Sequence, residues 1–407
     1  MSSSLIENLV DKIEIEKLNK LYEDNKDLLE EVSKFIIKKK LILYGGLTIN
    51  LILPKKYRFY KEFSLNDYDC YSKNALKDVT EFAVSLKKKG YRYIKIKKAQ
   101  HADTFKLYVE KLQILDITQM NNKLFNNLTK ISKKERKTLK YYKDRYILIP
   151  IALIKRNLYF ELSRPIQSAF RWGKIYKRLN ILLNNYKNKE IKTKQKYIPV
   201  PQEYKSIIII LKNFIKVNKY PIVDNYAIKL YKNETNPDCC RIHEASNYLS
   251  IISNNYEKTT NDIIKLLKDN LSDKYSINVL NRTFHQEILN KRNRIVVTNK
   301  ETNEPFSIIN IISNIDNCLS TKIIDGYTVG SLDTILYLLY SYYIIYDIFS
   351  KNKSILEDTI YYINQYENYI KNVIKDKLDK RLSISCYGEV VNDLKDWNKR
   401  MTIKKIK

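Results

Sequence analysis

Residues 41–44, Leu-Ile-Leu-Tyr, form a short apolar run that ends at Gly45-Gly46 and passes without a linker into a second apolar stretch, 47–53, halted by Pro54. This junction limits the fold more than any other feature. So short a run cannot bury itself alone, so it reads as a strand of a larger sheet. Paired glycines let the backbone turn where side chains would obstruct it, and proline ends the helix that follows. Upstream, residues 6–40 place Ile13, Leu18, Leu21, Leu28, Leu29, Val32 and Ile36 at mostly helical spacing. Downstream, Asp67-Tyr68-Asp69-Cys70-Tyr71-Ser72 alternates like a strand, 74–90 is an amphipathic helix closed by Gly90, and strands follow at 93–97, 104–109 and 112–117. Strands interleaved with helices and hairpins predict an α/β (α+β) fold.

A chain of 407 residues holds two ordinary domains. Residues 187–204 are rich in Lys and Asn, lack periodicity until Ile198 and carry Pro199 and Pro201. They are therefore read as a linker between a first domain, 1–186, and a second, 205–407. The second half echoes the first. Residues 44–51 can be laid beside 223–230, 67–72 beside 241–246, and Leu115-Asp116-Ile117 beside Ile309-Asn310-Ile311. The shared order suggests a duplicated domain in which every candidate carboxylate has been replaced.

Lys and Arg number 74 against 45 Asp and Glu, a formal charge of +29. So much like charge repels itself unless a polyanion is a regular partner, which favours nucleic acid or an anionic surface. The 34 tyrosines are read first as coding bias and only second as stacking faces for bases. Apolar residues make up 44% of the chain and Gly (7) and Pro (8) are scarce, which excludes a fibrous or disordered protein. Five cysteines (Cys70, Cys239, Cys240, Cys318 and Cys386) form no CxxC pair, so reduced thiols and no disulfide framework are expected. Residues 1–20 are charged throughout, and the apolar run 334–346 falls short of the roughly 20 residues a spanning helix needs. No signal peptide and no membrane are expected; 334–346 is read as a buried helix.

The residues that carry chemistry are acidic. Asp67 and Asp69 are two apart on a strand, so both project from one face. Adjacent carboxylates repel unless a cation sits between them. Asp116, ending a later strand, can add a third oxygen donor, and such a site suits Mg²⁺ or Mn²⁺. Two ions there would activate a 3′-hydroxyl and neutralise a leaving pyrophosphate. Gly45 and Gly46, where a strand opens into a helix, let backbone N–H groups approach a triphosphate; Asn50, one turn on, can face the same phosphates. A lone Gly-Gly is usually a turn and a lone Asp-x-Asp usually a loop, but the ordered combination is much harder to obtain by chance.

With those residues in view, Leu43-Tyr44-Gly45-Gly46 followed by Asp67-Tyr68-Asp69 resembles the signature of the polymerase-β-like nucleotidyltransferases. Longer segments resemble the poly(A) polymerase catalytic subunits of large nucleocytoplasmic DNA viruses of the poxvirus and giant-virus kind. They are Gly45-Gly46-Leu47-Thr48-Ile49-Asn50-Leu51, Asp67-Tyr68-Asp69-Cys70-Tyr71-Ser72, Ala99-Gln100-His101-Ala102-Asp103-Thr104-Phe105-Lys106, Leu115-Asp116-Ile117-Thr118, Glu161-Leu162-Ser163-Arg164-Pro165 and Phe170-Arg171-Trp172-Gly173-Lys174. The resemblance covers most of 41–178 and thins beyond it, apart from Cys386-Tyr387-Gly388 and Trp397. It implies a catalytic nucleotidyltransferase domain followed by a degenerate nucleotidyltransferase-like one. It also implies ATP as donor, an RNA 3′ end as acceptor, and two divalent ions on Asp67, Asp69 and Asp116. Giant-virus relatives resemble self-sufficient homodimers, and the chain lacks the long N-terminal extension of the poxvirus enzymes, so a homodimer is expected. The virion and the host cytoplasm are the implied locations.

Other residues keep two readings. Arg164, Arg171, Trp172, Lys174 and Arg178 either place cations and an indole near RNA phosphate and base or surround a core tryptophan with solvated arginines. Lys106 either meets the triphosphate or is plain surface. The basic stretch 130–145 is read as a solvated helix face. His101, His243 and His285 are read as structural, since this chemistry needs no histidine.

Overall fold

A computed structural model describes residues 3–60, 67–99, 103–142, 145–191, 202–223, 225–232, 249–282, 288–314, 317–349, 353–375, 377–390 and 402–406. The chain opens with α1 (Ser3–Lys39), β1 (Ile42–Tyr44), α2 (Gly45–Ile52), β2 (Asp69–Ser72), α3 (Ala75–Lys88), β3 (Ile94–Lys98), β4 (Thr104–Val109), β5 (Leu112–Gln119), α4 (Asn122–Arg136) and β6 (Ile147–Leu148). Next come α5 (Ile151–Leu162), α6 (Pro165–Ser168), α7 (Trp172–Asn185), α8 (Lys205–Val217) and α9 (Asn225–Lys232). They lead to β7 (Leu249–Ser253), α10 (Tyr256–Asn270), β8 (Tyr275–Arg282), β9 (Arg292–Asn299), β10 (Pro305–Ser313), β11 (Leu319–Ile324) and β12 (Tyr327–Gly330). The rest is α11 (Leu332–Phe349), α12 (Lys353–Tyr369), α13 (Leu378–Arg381), β13 (Cys386–Tyr387) and β14 (Thr402–Ile406). The mixed α/β class and the strand–glycine–helix junction agree with the sequence.

Contacts divide the chain into two compact units, residues 1–154 with 392–407, and residues 155–391. The sequence places the division at 187–204 instead. The difference has a physical source: Lys155, Arg156 and Tyr159 of α5 bond to Asn188, Ser341 and Glu367, so the helix runs on into the second unit. The last strand is likewise displaced, since β14 adds antiparallel to the β3 edge of the first unit.

The first unit is built on a seven-stranded sheet in the order β14-β3-β4-β5-β2-β1-β6. β1 pairs antiparallel with β2 and parallel with β6, while β2 pairs parallel with β5. Its core lies where α3 covers the sheet with Ala75, Val79, Phe82, Ala83 and Leu86. The helix forms because those apolar residues recur at three- and four-residue spacing, and it stops where Gly90 takes φ +93.

The second unit holds a four-stranded sheet, β7-β10-β9-β8, and a three-stranded one, β12-β11-β13. It repeats the plan of the first unit, register included. Asp69 pairs with Asp116 and Lys106 with Asp116; Ser250 pairs with Asn310 and Arg294 with Asn310 in the same parallel and antiparallel senses. Leu43 lies between Cys70 and Leu148 as Ile222 lies between Ile251 and Val329. The strand-to-helix turns also match. Asn74 N–H donates to Ser72 Oγ at 2.9 Å, and Asn255 N–H to Ser253 Oγ at 3.1 Å. The backbone N–H of Met120 donates to Ser72 O, and that of Asn314 to Ser253 O. The Ile309-Asn310-Ile311 echo thus has its structural counterpart in β10. The segment 241–246, laid beside 67–72 from sequence, lies outside the described residues; the strand in that register is Leu249–Ser253.

Cys318 and Cys386 form a disulfide with Cα atoms 5.3 Å apart, a correction to the expected reduced thiols. Antiparallel pairing of β11 with β13 (Leu319 with Tyr387, Ser320 with Cys386) brings them together across 68 residues of sequence, a contact no local spacing announces. Cys70 is a buried thiol. Among the described residues no helix is long and apolar enough to cross a membrane; the run 334–346 lies in the largely buried α11.

Candidate active site

One face of the first sheet carries Tyr44, Asp69, Tyr71, Asp116, Thr118, Lys106 and Thr104 at partnered or alternate positions of four adjacent strands. Asp69 stands between Tyr44 on β1 and Asp116 on β5. Asp67 precedes β2, but burial keeps alternating through it: Asp67 is exposed, Tyr68 buried, Asp69 half-buried and Cys70 buried. The carbonyl of Tyr68 accepts the Asp116 backbone N–H at 2.8 Å and so ties this approach to β5.

Gly45 is held against Asp69. Its φ is +75, and a Cβ there would lie 3.0 Å from Asp69 Cγ and 3.2 Å from Asp69 Cβ while overlapping Asp69 Oδ2. Glycine is required twice, for backbone angle and for space. Gly46 is already helical.

Asp116 is buried, and its carboxylate is engaged on both oxygens. Lys106 Nζ lies 2.5 Å from Oδ2, and Gln113 Nε2 donates to Oδ1 at 3.0 Å. Burial raises the Asp116 carboxyl above its ordinary value, Lys106 pulls it back, and the negative charge of Asp67 adds to the rise. Burial, followed by the Asp69 carboxylate, pushes the Tyr44 hydroxyl up; burial and then Asp69 and Asp116 do the same to the Cys70 thiol. The three acids therefore share one electrostatic neighbourhood.

Their chemistry fits divalent ions: hard oxygen donors on neighbouring elements, with a glycine cradle against one of them. Among the described residues, though, no three His, Cys, Asp or Glu side chains stand close enough to hold a metal ion as placed. Asp69 and Asp116 are strand neighbours, and Lys106 places a positive charge in contact with Asp116.

Asn50 is buried in α2, and its Oδ1 accepts the backbone N–H groups of Phe59 and Tyr60 at 2.9 and 3.0 Å. It fastens the chain after Pro54. Sequence reasoning missed Tyr44, Tyr71, Thr104, Thr118 and Gln113. Tyr44 stacks on Tyr71 with centroids 4.1 Å apart, and its hydroxyl meets Thr118 Oγ1 at 2.9 Å. The alternation Asp69-x-Tyr71 and Asp116-x-Thr118 carried that signal, because residues two apart share a face.

The basic cluster sits in the second unit, much of it around one carboxylate. Glu161 pairs with Arg164 at 2.5 Å and Arg171 at 3.4 Å, and its backbone carbonyl accepts from the Trp172 indole at 3.0 Å. Arg178 is buried and Lys174 exposed. Arg164 also packs on the Phe160 ring, 4.1 Å from its centroid. His101, His243, His285 and Trp397 lie outside the described residues.

Comparison with known proteins reaches the same region. Residues 30–168 match the family described as poly(A) polymerase catalytic subunit. A candidate poly(A) polymerase catalytic subunit of African swine fever virus (strain Badajoz 1971 Vero-adapted) is 35% identical over 112 residues, 27% of this chain and 24% of that protein. One from Acanthamoeba polyphaga mimivirus is 25% identical over 201 residues, 48% of this chain and 33% of that protein. The matches thus span about a quarter to a third of the length of these relatives. The crystal structure of the Megavirus polyadenylate synthase superposes with a TM-score of 0.76 at 18% identity, covering 97% of this chain and 83% of that one. Residues 30–168 thus resemble poly(A) polymerase catalytic subunits, and the chain shares the fold of the Megavirus polyadenylate synthase.

Proposed function

We propose that this chain is a poly(A) polymerase that transfers adenylate from ATP to the 3′ end of RNA without a template. The observation that carries the reading is the register of Asp69 beside Asp116, with Gly45 packed on Asp69, inside the segment that matches the family. In the reaction the RNA 3′-oxygen forms a bond to the α-phosphorus of ATP, the bond to the bridging oxygen breaks, and pyrophosphate leaves with that electron pair. Asp67, Asp69 and Asp116 would hold two Mg²⁺ or Mn²⁺ ions, which when bound lower the hydroxyl's pKa and offset charge on the pyrophosphate. Gly45 and Gly46 present backbone N–H groups to the triphosphate at the start of α2. Asn50 positions that helix against residues 59–60. Lys106 keeps Asp116 oriented and supplies a cation near the phosphates.

The same reading assigns catalysis to the first unit and makes the second a nucleotidyltransferase-like copy without the acids. It takes viral mRNA as substrate, a homodimer as the working form, and the virion and host cytoplasm as the place of action, as the family resemblance of the sequence implies. For Arg164, Arg171 and Trp172 the contacts with Glu161 favour a structural role over RNA contact.

A labelled RNA oligonucleotide, ATP, Mg²⁺ or Mn²⁺ and a sizing gel test the proposal. Extension by the wild type and none by Asp69→Ala or Asp67→Ala, both still folded by circular dichroism, is the expected result. Full extension by either variant ends the mechanism. Preference for UTP or CTP among the four nucleotides would point to another terminal nucleotidyltransferase. RNA binding without extension would leave a non-catalytic subunit.

A further inference from the structure

The repeated register lets the two units be compared position by position. Where the first has Asp69, Asp116 and Lys106, the second has Ser250, Asn310 and Arg294. The acids are gone and the cation has become a guanidinium. The same face gains two more. Arg292, two residues before Arg294 on β9, shares its side of the sheet, and Arg282 on β8 pairs directly with Arg292. Buried Arg292 stands between half-buried Arg294 on its own strand and exposed Arg282 on the next. Arg292 lies over the Tyr342 ring of α11, 4.9 Å from its centroid, and Tyr342 stacks with Tyr346. Asn310 Nδ2 donates to Ser250 Oγ at 3.3 Å, and Asn310 Oδ1, buried, meets no donor among the described residues.

We propose that this face of the second unit, centred on Arg294 and rimmed by Arg282, is a phosphate-binding site that holds the backbone of single-stranded RNA. Guanidiniums crowded on one face repel, and an anion between them removes that cost while gaining charge-assisted hydrogen bonds. Burial and the charge of Arg292 both lower the Arg294 pKa, the direction that like-charge crowding produces. A nucleoside triphosphate fits less well than a polynucleotide. In sequence Asp224-Asn225 replaces Gly45-Gly46, so the glycine turn is missing, and the acids that would hold its metal are replaced as well. Three arginines on one face, the outermost exposed on the end strand β8, suit a chain of phosphates entering from solvent. The site lies outside the transfer machinery, so it stands apart from the preceding proposal and is tested without turnover.

Fluorescence anisotropy of a labelled oligoadenylate RNA, with neither ATP nor divalent metal, compares the wild type with Arg294→Gln, Arg294→Lys, Arg282→Glu and the Arg282→Glu/Arg294→Gln pair. Each loss of charge should weaken binding about 10-fold and make the slope of log affinity against log salt shallower by about one. Arg294→Lys should keep the slope and recover part of the affinity. Wild-type affinity and slope in the paired variant, folded by urea titration, would overturn the proposal. ATP or pyrophosphate displacing the RNA at equal concentration, in wild type but not in the pair, would also overturn it in favour of a free-nucleotide site. If Arg294→Gln does not fold, exposed Arg282→Glu decides alone, and unchanged binding there counts against the site.

Discussion

Gly45→Ala is the perturbation whose cost can be worked most directly. The first contribution is backbone: a residue with a Cβ held at φ +75 pays about 1–2 kcal/mol. The second is space. The new methyl would lie 3.0 and 3.2 Å from Asp69 Cγ and Cβ, where carbon atoms prefer about 3.5–4.0 Å, and it would overlap Oδ2. Asp69 must swing away or the Tyr44–Asp69 pairing must open, at an overpacking cost of about 1–3 kcal/mol. The sum, about 2–5 kcal/mol, is a large share of a domain's stability of about 5–15 kcal/mol. Urea unfolding of the wild type, Gly45→Ala, Asp69→Ala and the double variant separates the two contributions. In the Asp69→Ala background the carboxylate contact is gone, and Gly45→Ala should cost nearer the backbone value alone. Under the proposed mechanism, primer extension by folded Gly45→Ala should fall about 100-fold, because Asp69 would be displaced by an ångström or so. An equal stability cost in both backgrounds, or wild-type extension by Gly45→Ala, would refute the reasoning.

Other substitutions probe the charges. Lys106→Met leaves the buried Asp116 carboxylate without its ammonium; it should lose about 1–3 kcal/mol in EDTA, with Mg²⁺ or Mn²⁺ narrowing the gap in thermal unfolding. Lys155 is buried against Asn188 and Tyr340, and burial lowers its pKa. The folded chain therefore holds that proton less tightly than the unfolded chain, and wild type should gain stability relative to Lys155→Met as pH rises towards the ordinary lysine value of about 10.4; a constant difference in urea midpoint would contradict this. Arg381 and Asp333 form a buried ion pair at 2.7 Å, so Arg381→Ala should cost about 3–5 kcal/mol while Arg381→Met with Asp333→Leu recovers most of it, as read by calorimetry.

What could be read from the residues follows the range of the interactions. The β1–Gly45-Gly46–α2 junction, α3 and the hairpin of β4 and β5 rest on local periodicity and turn chemistry, and they stand where the sequence puts them. The pairing of Asp69 with Asp116 was half legible: alternation set the faces, but only the sheet order made the strands neighbours. Contacts across long separations left no local mark. The β14 edge strand, the Cys318–Cys386 bridge and the continuation of α5 into the second unit are of that kind. Lys106 was ambiguous for a related reason, since a strand lysine looks like solvated surface until its partner across the ladder is known. The strand in the register of β2 is Leu249–Ser253, whereas residues 241–246, laid there from the sequence, lie outside the described residues.

The repeated register also supplies an internal control on the acids. Both units keep the same ladder, the same turn hydrogen bonds from Ser72 and Ser253, and the same helix following each turn, so the frame itself does not require carboxylates on this face. Ser250 and Asn310 occupy the positions with an uncharged hydrogen bond. In the first unit those positions hold Asp69 and Asp116, the latter buried at a cost that raises its carboxyl pKa and is only partly offset by Lys106. The second unit shows that the same ladder closes on a serine and an asparagine. Keeping charged acids where the architecture accepts amide and hydroxyl is explicable if they bind something positive during function. That is why the first unit, rather than the second, is assigned the transfer chemistry.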